Sequence, residues 1–111
     1  MSNYSFTDNQ SKITAELKAK IAQGLEQIGS TAEIYAQESC PVRTGKLRDS
    51  ITHYVDIDDR EISVRLMTDV EYAPYVEMGT ARSAPHPFLR PAMQDHLDEY
   101  KSILENALKS D

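Results

Sequence analysis

Apolar residues recur along this chain with two different periods. From residue 13 to 35, Ile13, Leu17, Ile21, Leu25, Ile28, Ala32 and Tyr35 follow one another at steps of three and four. That spacing keeps them on one face of an α-helix. It predicts a helix over about 10–39. Asp8 or Ser11 is placed to cap its start. Pro41 ends it, because the residue before a proline is pushed out of the helical region. Gly24 and the pair Gly29 and Ser30 weaken its middle: an interior glycine costs about 1 kcal/mol against alanine, and a Gly-Ser pair is a common kink site. The period then changes to two. Ile51, His53, Val55 and Ile57 alternate with Thr52, Tyr54 and Asp56, and Ile62, Val64 and Leu66 alternate with Ser63, Arg65 and Met67. Two half-buried strands joined by a turn at 58–61 follow from that alternation. Residues 70–76 are apolar again, but Pro74 limits them to an edge strand or an irregular segment. Gly79, Pro85, Pro87 and Pro91 break up the next stretch, which reads as an extended loop. Leu89, Met93, Leu97, Tyr100, Leu104 and Leu108 restore the helical step and predict a final helix, with Pro91 tolerated in its first turn.

The expected fold is α+β. A long N-terminal helix and a C-terminal helix cover one face of a small antiparallel sheet of about three strands. Residues 1–10 are expected as a flexible segment and 11–111 as one domain, which a chain of 111 residues accommodates. Such a sheet has too few strands to close, so an edge stays open to pairing.

Composition narrows the function. One cysteine excludes an internal disulfide framework. No apolar run approaches the roughly 20 residues of a membrane helix, and the start lacks the basic and apolar regions of a signal peptide. A cytoplasmic protein with no membrane partner is expected. The formal net charge of −6 disfavours a nucleic-acid binder acting through its whole surface. That charge is unevenly spread. Seven carboxylates against two arginines give 53–77 a net −5, whereas Arg43, Lys46 and Arg48 against Asp49 make 41–52 net positive. Arg82 and Arg90 make 78–92 positive as well. Both basic segments hold Pro and Gly and read as loops, where binding residues concentrate.

Catalytic chemistry finds little support. Cys40 lies at a helix C-terminus, which opposes thiolate formation. His53, His86 and His96 lack metal-ligand spacing, and no carboxylate pair suggests acid–base work. Thr44, Gly45 and Lys46 faintly resemble a phosphate loop. That motif needs a Gly where Cys40 stands, a Ser or Thr where Leu47 stands, and a preceding strand. No cofactor and no metal is expected.

Three segments together carry a resemblance: P-V-R-T-G-K-L-R-D-S-I at 41–51, Y-A-P-Y-V-E-M-G-T at 72–80 and P-F-L-R-P-A at 87–92. In that order they resemble the head–tail joining and tail-component family of long-tailed bacteriophages, typified by gene product 10 of the phage Hong Kong 97. Met78 stands where similar sequences often carry an aromatic. The resemblance implies a non-enzymatic structural protein of the neck or tail, of a phage virion or encoded by a resident prophage, assembled in the bacterial host cytoplasm. It implies a homo-oligomeric ring touching other neck and tail proteins, through which DNA passes without sequence-specific binding. Candidate interface residues are Arg43, Thr44, Gly45, Lys46, Leu47, Arg48, Tyr72, Tyr75, Glu77, Gly79, Thr80, Arg82, Pro87, Phe88 and Arg90. One alternative is a small nucleic-acid-binding module using the basic loops 41–48 and 82–90, whose binding would fall steeply with salt. Another is a thiol enzyme or hydrolase built on Cys40 and His86.

Overall fold

The computed structural model describes residues 3–6, 14–41, 45–58 and 61–109. The first helix, α1 (Ala15–Ser39), runs unbroken for 25 residues, about 37 Å at 1.5 Å per residue. It starts later than its periodicity suggests. Thr14 is the cap, its hydroxyl accepting the Leu17 amide at 3.1 Å. Asp8 and Ser11 lie outside the described residues. Gly24 and Gly29 do not interrupt the helix; both are buried points of close approach. A Cβ on Gly24 would lie 3.0 Å from the Cβ of Ala107, and one on Gly29 only 2.3 Å from Cδ2 of His53. Tight packing by these neighbours offsets the poor helix propensity of glycine.

Residues 46–50, expected as a basic turn, form a short helix, α2 (Lys46–Ser50). Gly45 precedes it at φ 83°, the left-handed conformation its place in the motif suggests. The predicted hairpin follows: β2 (Thr52–Ile57) and β3 (Ile62–Met67) pair antiparallel, from Thr52 opposite Met67 to Ile57 opposite Ile62. At its turn the Glu61 amide donates to the Asp58 carboxylate at 2.7 Å. On β3 Ile62, Val64 and Leu66 are buried as the alternation expects, and Ser63 between them is buried too; on β2 the alternation is clean, and Tyr54 of β2 and Met67 of β3 stay exposed.

No strand forms over 70–76. Pro74 cannot donate to a sheet ladder but fits the first turn of a helix, and α3 (Ala73–Met78) carries it there. The free edge of β3 is instead taken by β1 (Asn3–Phe6), antiparallel, from within the segment expected to be flexible. The strand order is β1-β3-β2.

The final helix is divided into α4 (Leu89–Gln94) and α5 (Leu97–Lys109). Tyr100, buried, spans the break and donates its hydroxyl to the Ala92 carbonyl, pairing a carbonyl near the end of α4. The layering also differs from the expected one. α1 lies on β2 and β3, and α4 reaches β3, but α5 packs chiefly along α1. Ile21, Leu25 and Ile28 of α1 meet Val64 and Leu66 of β3 and Phe88, Met93 and Tyr100 in one hydrophobic core. Leu17, Leu97 and Leu108 are exposed despite their places on the apolar stripes. Each lies in a terminal turn, beyond the packed middle of its helix.

Candidate functional site

Two of the segments that carry the sequence motifs, 72–80 and 87–92, meet at α3, and Pro41 of the first motif borders it. At about 100° per residue, Ala73, Pro74, Glu77 and Met78 face one way and Tyr72, Tyr75 and Val76 the other. Each face borders a groove. The first, about 470 Å³, is floored by Val70, Ala73 and Leu89 and flanked by Met67, Met78, Asp69 and Glu71. The second, about 410 Å³, lies between Tyr72 and Tyr75 on one side and Pro41, Thr80, Ser83 and His86 on the other. The helix and the following loop are joined by backbone as well, since the His86 amide donates to the Val76 carbonyl at 2.8 Å.

Glu77 is the main tie. Its Oε1 accepts the amides of Phe88 and Leu89 at 3.0 and 2.9 Å, and its Oε2 accepts that of Arg90 at 3.1 Å. A carboxylate from α3 thereby caps the start of α4, where unpaired amides favour an anion. Nothing local in the sequence shows this, because the partners lie 11–13 residues apart. Gly79 turns the chain between them at φ 79° and ψ 175°, a conformation nearly confined to glycine. Thr80 then clips a turn, its hydroxyl accepting the amides of Arg82 and Ser83 at 3.2 and 3.0 Å.

The expected interface residues therefore divide. Tyr72 and Tyr75 are exposed, at 42 % and 63 %, as are the side chains of Arg82, Pro87, Arg90 and Lys46. Arg48 is half-buried and pairs with Asp49 at 3.1 Å. Leu47 and Phe88 are buried in the core and hold the motifs from within. Glu77, Gly79 and Thr80 shape the chain, as does Gly45. Arg43 and Thr44 lie outside the described residues. Met67 and Met78 were not among the sequence candidates, although Met78 is 68 % exposed on the motif helix.

A second polar cluster joins α1 to β2. His53 donates or accepts through Nδ1 to Glu33 at 2.5 Å and through Nε2 to Glu26 at 2.7 Å. Burial alone would lower the imidazole pKa; the two carboxylate hydrogen bonds outweigh it and hold it above the ordinary histidine value. The sequence carries a signal for this cluster: residues 26 and 33 are two helical turns apart, and alternation turns His53 inward. Tyr35 of α1 stacks on His96, ring centroids 3.6 Å apart, and donates to Glu99 at 2.5 Å. Cys40 is buried, and burial raises its thiol pKa against the opposing pull of Arg48. An activated nucleophile needs the reverse shift. Among the described residues no group of His, Cys, Asp and Glu is arranged to hold a metal, and no helix is long and apolar enough to cross a membrane.

No curated protein and no solved structure matches the chain. A family model does, over residues 5–79, and its description is "Bacteriophage HK97-gp10, putative tail-component". That span is more than half of the chain. It contains the R-T-G-K-L-R segment and Y-A-P-Y-V-E-M-G of the second segment, ends one residue short of Thr80, and stops before P-F-L-R-P-A, which Glu77 binds from inside the matched region. Motif order and matched span agree, and the chain belongs to the HK97-gp10 family of bacteriophage tail components.

Proposed function

We propose that this chain is a non-enzymatic subunit of the phage neck, acting in head–tail joining and tail completion. Residues 11–111 act as one domain, made in the host cytoplasm and built into the virion as a homo-oligomeric ring against other neck and tail proteins. The observation that carries this reading is the surface of α3. Its backbone and its carboxylate are committed inward, to the 86–90 segment, while Tyr72, Tyr75 and Met78 are left exposed. Tyrosine and methionine are enriched where protein surfaces meet. Two grooves on either side of one short helix give a partner both shape and apolar area. A heterologous contact repeated between identical subunits closes into a ring when its rotation allows.

The test replaces both tyrosines, Tyr72→Ser with Tyr75→Ser, in the phage. Circular dichroism of the purified variant should match the parent, since both side chains are solvent-facing. Electron microscopy should show filled heads without attached tails, and infectivity should fall by orders of magnitude. Particles of normal form and titre would overturn the proposal.

A further inference from the structure

α3 stands between a protruding loop and a groove. Every residue of 80–87, the loop that follows α3, is exposed. Thr80, Ser83, Ala84 and His86 border the second groove, on the face of α3 that carries Tyr72 and Tyr75. The loop adds nothing to the core, yet its backbone is fixed. Thr80 and Ser83 exchange backbone hydrogen bonds at 2.9 and 3.4 Å, the Thr80 hydroxyl accepts the amides of Arg82 and Ser83, and the His86 amide is tied to Val76. Ala81, Ala84, Pro85 and Pro87 give it apolar side chains that lose almost no rotamer freedom on burial. A preformed loop of this kind meets a partner at low ordering cost.

The groove on the other face of α3 has the complementary character. Its floor is apolar, and its walls, Met67 and Met78, are exposed thioethers that adapt to an incoming surface. Asp69 and Glu71 are exposed in the lining, where Arg90 is the one cation. The loop carries the opposite sign: Arg82 is its one Lys or Arg, and it has no carboxylate. Among the described residues, none of Asp69, Glu71 and Arg82 takes part in an ion pair. No residue of 80–87 lines the methionine-walled groove, so within one copy the loop does not fill it.

We infer that the groove between α3 and the start of α4 receives the 80–87 loop of a second copy of this chain, with Arg82 set against Asp69 and Glu71. The contact is heterologous: each subunit offers its loop on one side of α3 and its groove on the other. Repetition builds a chain or ring rather than an isologous pair. Tyr72 and Tyr75, beside the loop, come against the same neighbour, whose Met67 and Met78 offer sulfur to their rings. The inference rests on the proposed self-assembly and gives it two surfaces and a polarity. Attraction between Arg82 and the two carboxylates makes the association salt-sensitive.

The experiment uses the full-length chain in sedimentation velocity over a range of concentrations, at low and moderate salt. Two charge variants are compared with the parent, Arg82→Glu in the loop and Asp69→Lys with Glu71→Lys in the groove. Circular dichroism monitors folding of each. Each variant alone should associate about tenfold more weakly than the parent, or worse. Mixing the two should restore association, because in an alternating assembly every loop meets a groove of opposite charge. A charge variant that assembles like the parent, or a mixture that stays as weak as its components, would overturn the groove assignment while leaving self-assembly standing. A parent that stays monomeric at every concentration would overturn both.

Discussion

Glu77 gives the sharpest test of how the motif segments are held together. Substitution Glu77→Ala removes the acceptor for three amides, those of Phe88, Leu89 and Arg90. Phe88 and Leu89 are buried residues whose amides are partly shielded, so water compensates poorly for the lost bonds there; Arg90 is exposed, and water replaces its bond. A buried donor left unpaired costs about 1–3 kcal/mol, so two of them put the loss at about 3 kcal/mol, near the upper range for a lost helix cap. Unfolding entropy of about 2.1 cal/mol/K per residue, over 111 residues, gives about 0.23 kcal/mol/K. The melting temperature should therefore drop by about 13 °C. Glu77→Gln separates charge from geometry. Its Oε1 still accepts the Phe88 and Leu89 amides, but the Arg90 amide faces a donor and the charge at the helix start is gone. A loss of about 1 kcal/mol, or about 4 °C, is expected. Thermal unfolding followed by circular dichroism reads both. An alanine variant that melts within about 2 °C of the parent would refute the cap, since no arrangement with three lost bonds is that mild.

Two further outcomes follow from the geometry. Gly79→Ala places a Cβ 2.8 Å from the Pro85 nitrogen and 2.9 Å from the Ser83 carbonyl oxygen, on a backbone that only glycine adopts without strain. Urea unfolding should show a loss of about 3 kcal/mol or more, and a loss under about 1 kcal/mol would contradict the turn. For His53, the folded pKa is held above its unfolded value of about 6.5, so the charged imidazole stabilises the fold fully below that pH and the contribution is lost as pH rises through the folded pKa. The stability difference between the parent and His53→Gln should therefore shrink between pH 6 and pH 9; a constant difference would count against the Glu26–His53–Glu33 cluster.

Much of this architecture is legible in the chain. The step of three and four places Ile21, Leu25 and Ile28 on a buried face, and alternation places Ile62, Val64 and Leu66 on another. Gly45 is recognisable as a left-handed turn residue from its motif. Other features are not legible, for identifiable reasons. Proline at 74 is incompatible with a sheet interior, but the sequence does not say whether such a stretch becomes an edge strand or a helix; the helix followed because its first turn tolerates proline. Glycines 24 and 29 look like weak points because propensity is a local quantity. Their value lies in how closely Ala107 and His53 approach them. Leu47 looks like an interface residue within its motif, and Phe88 reads equally as an interface anchor or a core residue; packing places both in the core.

By itself, the sequence determined the element types with strong periodicity, the acidic balance broken by two basic segments, and the motif order that marks a phage tail component. These depend on near neighbours, through helical and strand periods and through residue identity. Tertiary structure decided what the motifs do to one another. It set Glu77 against the amides of residues 88–90, turned α5 onto α1, and placed a methionine-walled groove and a second groove bordered by Pro41 on opposite sides of α3. Such contacts join residues far apart in the chain, and their energies come from burial and from hydrogen-bond geometry that no local pattern encodes.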